Sequence, residues 1–95
     1  MKMELFCKIN GKVQGVMFRD FVQRKAQGLG IVGTVENKTD GSVEVVAIGE
    51  EENLKKFLEL MFKGPLLTRI NFKVDNIDTK FSETTKNFSD FKIIY

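Results

Sequence analysis

The chain has 95 residues, which fits one domain, and its hydrophobic fraction of 42% with nine Phe argues against intrinsic disorder. Fifteen basic and 13 acidic residues leave a formal net charge of +2, which gives no broad positive field for holding a nucleic-acid backbone. Cys7 is the only cysteine and there is no His, so an intramolecular disulfide, a thiolate zinc site and His-based catalysis are excluded. We predict a single domain over residues 1–95.

The first elements of the chain are a predicted strand and a predicted helix. Apolar and polar residues alternate over residues 5–13, as in a strand with one buried face, and this places Cys7 on the inward side. From Phe18 onward the apolar residues are spaced three or four apart, which predicts a short helix over residues 19–29.

A hairpin and a second helix follow. Residues 31–38 and 42–49 are β-branched runs joined by the sequence TDG, where Asp can close the turn and Gly can take a positive φ. The apolar residues from Leu54 to Phe62 then recur at helical spacing, with three Glu before them and Lys63 and Gly64 after them. This segment carries the clearest helical pattern in the chain.

The last part of the chain predicts a strand over residues 70–75, a polar loop over 82–90 and a short strand over 91–95. The resulting order is β-α-β-β-α-β with a small terminal strand. Its common compact solution is the ferredoxin-like, split β-α-β sandwich of the α+β class, a mainly antiparallel sheet with both helices on one face. The other face is left for solvent or a ligand. This architecture serves many functions, so the fold alone assigns none.

The connection between the first strand and the first helix is the most informative segment. Residues 11–19 read GKVQGVMFR, and such a loop brings several backbone N–H groups to a helix N-terminus, where they can surround an anion. Arg19 falls in or beside the first helical turn, where a cation opposes the helix dipole. The pattern indicates a bound negative group. From this physics alone, a surface Arg screened by solvent stays an open alternative.

Asn37 closes the second predicted strand, just before the turn. By itself, Asn at this position is typical of a turn residue that bonds its own backbone. In a split β-α-β sheet, however, we expect the first strand to be central and to have residues 31–38 among its neighbours. Asn37 would then lie beside the anion loop, and two polar groups would converge on one cavity.

Residues 28–33 read GLGIVG and match the G-x-G-x-x-G pattern of dinucleotide sites. Here the pattern follows a predicted helix and leads into a strand, whereas a dinucleotide site needs a strand followed by a helix. We therefore interpret these glycines as a helix stop with close backbone packing.

At this point the sequence resembles the acylphosphatase family. Residues 11–19 resemble the family's G-[RK]-V-Q-G-V-x-F-R signature, and a second block resembles its second signature with the N-x-x-D-G turn: Ala26, Leu29, Gly30, Gly33, Val35, Asn37, Asp40, Gly41 and Val43. Weaker matches extend the resemblance over essentially the whole chain. Two positions depart from the pattern or vary within it, because Thr34 stands where the family usually has Trp and Met17 fills a variable position.

The resemblance implies an enzyme that hydrolyses acyl phosphates without a metal or another cofactor. It assigns catalytic roles to Arg19 and Asn37. It also implies that the backbone of residues 14–19 binds the phosphoryl group of the substrate, a set that comprises Gln14, Gly15, Val16, Met17, Phe18 and Arg19. Inorganic phosphate and sulfate are then expected as competing anions, since the backbone N–H groups of residues 14–19 would bind any tetrahedral anion of this kind.

The chemistry of the reaction agrees with these residue types. An acyl phosphate releases a carboxylate whose conjugate acid has a pKa of about 4, so the leaving group departs without strong acid catalysis and His is not needed. Arg19 can grip phosphoryl oxygens as a bidentate fork, and the amide of Asn37 can orient the attacking water. The amide is too weakly basic to deprotonate that water.

Other classes fit less well or stay open. A Cys-x5-Arg phosphatase loop built on Cys7 needs Arg where Val13 stands. A ferredoxin-like RNA or regulatory-ligand binder would use the exposed sheet face, but its outer positions are mostly not aromatic: Lys8, Asn10, Glu44, Val46 and Ile48. A third possibility is a module that handles acyl phosphate or carbamoyl phosphate within a larger complex. The length of the chain favours a free-standing enzyme over this possibility.

The sequence contains no stretch of about 18 consecutive apolar residues, and charged residues occur early, at Lys2 and Glu4. We therefore expect a cytoplasmic protein that enters no membrane and binds no nucleic acid. We further expect it to act as a monomer on a small-molecule substrate.

Overall fold

The computed structural model describes residues 2–14, 16–64, 73–84 and 86–95. In these residues the elements follow the predicted order, and they are β1 Lys2–Lys12, α1 Val16–Gly28, β2 Val32–Asn37, β3 Val43–Glu50, α2 Glu51–Lys63, β4 Lys73–Glu83 and β5 Phe91–Ile94. Neither helix within these ranges is long and apolar enough to cross a membrane.

The strands form one sheet in the order β4-β1-β3-β2-β5. β2 and β5 run parallel, and the other neighbouring strands run antiparallel. The prediction that β1 has β2 as a neighbour is wrong, because β3 lies between them. The hairpin partner of β2 occupies that place, which is what the split form of the β-α-β unit means. The ferredoxin-like α+β fold is otherwise as predicted.

The core lies between the two helices and the sheet face that they cover. Cys7 is fully buried there, as the alternation predicts, and burial raises the pKa of its thiol to about 12. An edge-to-face contact of Phe57 with Phe91, with ring centroids 6.0 Å apart, ties α2 to β5. Phe62, which the helical spacing placed with the core residues, is instead 57% exposed. The main buried side chains are Leu5, Ile9, Phe18, Val22, Ala26, Val35, Val43, Val45, Ala47, Leu54, Phe57, Met61 and Phe91.

Two element boundaries differ from the prediction. α1 begins at Val16, three residues earlier than the apolar spacing indicates, so the end of the GKVQGVMFR segment is helical. β4 continues to Glu83, well beyond residue 75, because it pairs with β1 along its whole length while showing mostly polar side chains at the sheet edge. The predicted strand residues 70–72 lie outside the described residues.

The glycine-rich segment at residues 28–33 runs from helix to strand, as the sequence predicts. α1 ends at Gly28, and Gly30 has a φ of 68°. Gly33 lies in β2 with a φ of 144°, where a Cβ atom would collide with the carbonyl group of Val46 on β3. The backbone of β2 can therefore approach β3 only because position 33 has no side chain.

We expect Gly33→Ala to lower the free energy of unfolding by about 2–4 kcal/mol, because it combines an unfavourable φ with a backbone clash. The control is Gly30→Ala, whose φ of 68° lies in the left-handed region and whose added Cβ atom meets no atom within 4 Å. It should cost only about 1–2 kcal/mol. Urea unfolding of both variants measures the difference, and equal losses would show that close packing at Gly33 contributes nothing beyond its φ.

Candidate active site

The N-terminus of α1 has the features of an anion site. The first N–H groups of a helix lack intrahelical partners, and α1 begins at Val16, inside the segment that the sequence analysis singled out. Its first turn contains no acidic residue and carries Arg19, whereas α2 begins with Glu51 and Glu52, which complement the dipole. The uncompensated positive end of α1 therefore favours a negative ligand.

Arg19 is buried, with only 8% of its surface exposed. Its Nε atom has no hydrogen-bond partner among the described residues. The ring of Tyr95 lies over its guanidinium group, with Cζ 5.0 Å from the ring centroid. A buried donor without a partner is costly in a folded protein. This geometry therefore suits an Nε–H group that donates a hydrogen bond to a bound anion.

Asn37 is the last residue of β2 and pairs with Val43 of β3. Its Oδ1 atom is buried and, within the described parts of the chain, has no hydrogen-bond partner. Arg19 and Asn37 are the only described residues with such an unpartnered buried side-chain atom. Both residues that the sequence analysis selected thus carry a buried polar atom that could form one further hydrogen bond.

Gln14 connects the anion loop to the turn that follows Asn37. Its side-chain Nε2 donates to the carbonyl oxygen of Lys38 at 2.7 Å and to that of Ser42 at 3.0 Å. The same Ser42 oxygen accepts from the backbone N–H of Lys38 at 2.8 Å. The loop and the end of β2 are thus brought together although β1 and β2 are not neighbours. The amide donor of Gln14 is committed to the turn, so only its backbone is left for an anion.

Asp40 closes the turn itself. Its Oδ1 accepts from the backbone N–H of Ser42 at 2.9 Å and from the Ser42 hydroxyl at 2.6 Å, and Lys8 binds its Oδ2 at 3.0 Å. These hydrogen bonds, with the Lys8 charge, hold the pKa of the Asp40 carboxyl well below its usual range. Gly41 has the positive φ that the turn predicts, at 93°. Because Asp40 supplies the turn-closing bonds, Asn37 is not needed for that purpose.

Two ion pairs hold the neighbouring side chains of the turn. Lys38 Nζ lies 3.0 Å from Glu36 and 3.8 Å from Glu44, and the bond to Glu36 is the main reason that the pKa of Lys38 is raised. The pKa of Lys8 is also raised, chiefly through its hydrogen bond to Asp40. Lys8 and Lys38 are thus paired with carboxylates, whereas Arg19 Nε has no hydrogen-bond partner among the described residues.

The other residues predicted to bind the phosphoryl group lie in different surroundings. Val16 opens α1, and Gly15 lies outside the described residues. Phe18 is fully buried in the core, so its side chain is structural and only its backbone is suited to an anion. Met17 is 48% exposed beside the site. The sequence analysis missed Tyr95, because its approach to Arg19 depends on the parallel pairing of β5 with β2, which leaves no local signal.

No group of three or more His, Cys, Asp or Glu side chains that could hold a metal ion occurs among the described residues. The polar groups that the described residues contribute here are the guanidinium group of Arg19, the backbone N–H groups at the start of α1 and the amide of Asn37.

The comparisons with known proteins identify a family. The model of the acylphosphatase family matches residues 5–93. The acylphosphatase of Caldanaerobacter subterraneus subsp. tengcongensis is 42% identical over 93 residues, which cover 98% of this chain and 99% of the relative. The crystal structure of the Bacillus subtilis acylphosphatase superposes with a TM-score of 0.88 at 34% identity, covering 98% of this chain and 99% of that one.

A longer protein contains the same fold. The structure of full-length HypF in its phosphate- and nucleotide-bound form matches with a TM-score of 0.85 and 29% identity, and the match covers all of this chain but only 12% of that protein. The family match, the relatives of equal length and the arrangement around Arg19 and Asn37 lead to one assignment. This chain belongs to the acylphosphatase family, whose members are enzymes that hydrolyse acyl phosphates.

Proposed function

We propose that this acylphosphatase hydrolyses the carboxyl–phosphate bond by direct in-line attack of water. Arg19 and the backbone N–H groups of residues 14–19 hold the phosphoryl group, and Asn37 holds the water. The observation that carries the proposal is the pair of buried, unpartnered atoms, Arg19 Nε and Asn37 Oδ1.

Arg19 supplies charge and geometry for the phosphoryl group. Its guanidinium group stays positively charged and offers several N–H donors in one plane, which matches two phosphoryl oxygens. The N–H groups at the start of α1 add further donors. Phosphoryl transfer depends mostly on such positioning and on stabilisation of spreading negative charge.

Asn37 acts on the nucleophile. Its unpartnered Oδ1 can accept a hydrogen bond from a water and so fix the direction of a lone pair toward phosphorus. As the new oxygen–phosphorus bond forms, the bond between phosphorus and the acyl oxygen breaks, and the electron pair leaves with the carboxylate. The protons of the water stay on the phosphate product. No general base is needed, because a carboxylate with a conjugate-acid pKa of about 4 leaves readily.

The same arrangement supports competition by inorganic phosphate and by sulfate, because both present tetrahedral oxygens to the cradle. We also propose a cytoplasmic monomer. The many charged side chains on the exposed edge strand β4, among them Lys73, Asp75 and Asp78, support the monomeric state, since such an edge resists pairing with another chain.

We expect the hydrolysis of benzoyl phosphate to be unaffected by a chelator. The reason is the donor set, since the chain has no His and no described cluster of metal-binding side chains. Ultraviolet absorbance follows benzoyl phosphate cleavage directly, with and without prior exhaustive treatment with EDTA. Loss of turnover on metal removal, restored when a metal is added back, would contradict the metal-free mechanism. No turnover at all by folded protein would favour a binding module instead.

A further inference from the structure

Strand β5 forms one edge of the sheet, because the strand order ends with β2-β5. The backbone groups on its outer side face no neighbouring strand, and such an edge is a template for pairing with another chain. The strand reads FKII, in which Lys92 is the single charged residue among apolar ones. Many charged side chains blunt the opposite edge at β4, but charge does not protect β5 in the same way.

The hydrogen bonds at the start of β5 show which backbone groups point to this free edge. Gly33 of β2 is the ladder partner of Phe91, and its backbone N–H donates to the carbonyl oxygen of Asp90 at 3.0 Å. In a parallel ladder, a residue that bonds to the neighbours of its partner leaves the partner's own N–H and C=O on the far side. The N–H and C=O of Phe91 therefore point away from β2.

Side chains bind both of these edge groups of Phe91. The N–H of Phe91 donates to Oδ1 of Asp90 at 2.7 Å. Nε2 of Gln23, on α1, donates to the carbonyl oxygen of Phe91 at 2.9 Å. An incoming strand would have to break both hydrogen bonds before it could pair with Phe91, and this lowers what it gains by pairing.

Ile93 is the next residue of β5 with the same orientation, since successive residues of a strand direct their N–H and C=O groups to alternate sides. No side chain among the described residues caps Ile93 in the way that Phe91 is capped. The part of the edge that stays open is therefore confined to the end of a short strand. So short a pairing segment does not make a stable strand pair in water.

We propose that the side chains of Asp90 and Gln23 cap the free edge of β5 and so prevent a second copy of this chain from pairing with it. The pairing that they prevent is antiparallel, β5 against β5, with a twofold axis at Ile93. Phe91 would then lie opposite Tyr95 of the second copy, so every hydrogen-bonded pair except the central one would need the capped groups. The inference rests on the proposed monomeric state and names the contacts that maintain it.

The first test removes both caps in the variant Gln23→Leu/Asp90→Ala and measures association by sedimentation equilibrium. We expect the uncapped variant to form a native dimer with a dissociation constant at least about tenfold below that of any association of the wild type. The matched control is Gln27→Leu/Asp20→Ala, which makes the same chemical changes at solvent-exposed side chains of α1. The control should stay monomeric. A folded uncapped variant that also stays monomeric would overturn the inference.

A change of charge on β5 identifies the surface that pairs. In the antiparallel arrangement, Lys92 of one copy lies opposite Ile94 of the other. Added to the uncapped variant, Ile94→Lys should therefore weaken the dimer, because it places like charges across the pair, and Ile94→Glu should strengthen it. Equal association of these two variants would show that the copies meet elsewhere, and the inference would be wrong.

Hydrogen exchange of the wild-type protein tests the caps without any substitution, and it decides the matter if the uncapped variant does not fold. The amide of Phe91 should exchange at least about tenfold more slowly than that of Ile93, although both face the free edge. Equal or inverted rates would show that Asp90 does not hold Phe91. A wild type that is itself dimeric would refute the proposed monomeric state, whereas a monomeric wild type with a monomeric uncapped variant would refute only the role of the caps.

Discussion

Arg19→Ala should abolish measurable turnover of acyl phosphates, with a fall of about 10³-fold or more in kcat/KM, and should remove inhibition by phosphate. The backbone N–H groups at the start of α1 should remain in this variant, but the site loses the positive charge of the buried Arg19 guanidinium group. Steady-state kinetics on benzoyl phosphate, with phosphate as inhibitor, measures both losses on one preparation.

Two further variants show what kind of interaction is lost. Arg19→Lys should recover little activity, because one ammonium group cannot reproduce the planar fork. Arg24→Ala removes an equal charge from the same helix at an exposed position, where Arg24 pairs with Asp20, and should leave kinetics unchanged. Near-normal turnover in the Lys variant would show that Arg19 supplies only diffuse charge.

Asn37→Ala should separate the positioning of water from the binding of phosphate. We expect kcat to fall by about 10²-fold or more, because misplacement of the reacting water is costly. Phosphate inhibition should change much less, since Arg19 and the loop N–H groups remain. Stability should also change little, because Oδ1 has no partner to lose among the described residues and Asp40 closes the turn.

The opposite outcome for Asn37 is equally clear. If Asn37 is only a turn residue, Ala should lower stability by about 1 kcal/mol and leave turnover per folded molecule intact. Asn76→Ala serves as the control, since Asn76 is exposed on β4 and its side chain donates to Asp78 of the same strand. Measurement of kcat, phosphate inhibition and the unfolding midpoint on each variant distinguishes the two roles.

The sequence predicted those parts of the fold whose signal is local. The hairpin of β2 and β3 follows from β-branched runs around Asp40 and Gly41, and α2 follows from helical spacing between acidic and glycine boundaries. The start of α1 and the end of β4 were misplaced for physical reasons. Val16 carries no capping signal, and β4 is an edge strand whose exposed residues need not alternate.

The sequence predicted candidate residues for the site but not the long-range contacts between them. Arg19 and Asn37 were selected from the loop physics and the family resemblance, and the structure places unpartnered buried atoms on both. The bridge from Gln14 to the turn and the ring of Tyr95 over Arg19 join segments 24 or more residues apart. Such contacts follow from strand order, and the expectation that β1 and β2 pair directly shows how easily one-dimensional reasoning misplaces a strand.

The burial of Cys7 gives the protein an internal reporter of its own opening. Cys7 is the sole thiol of the chain and lies inside the sheet, paired with Val45 of β3 and Thr79 of β4. Only the thiolate reacts with alkylating reagents, and burial suppresses both its formation and its accessibility. Modification therefore requires the helices to move away from the sheet face that they cover, which disrupts the core. The rate of alkylation of the native protein thus measures how often this core opens, without an introduced label and without denaturant.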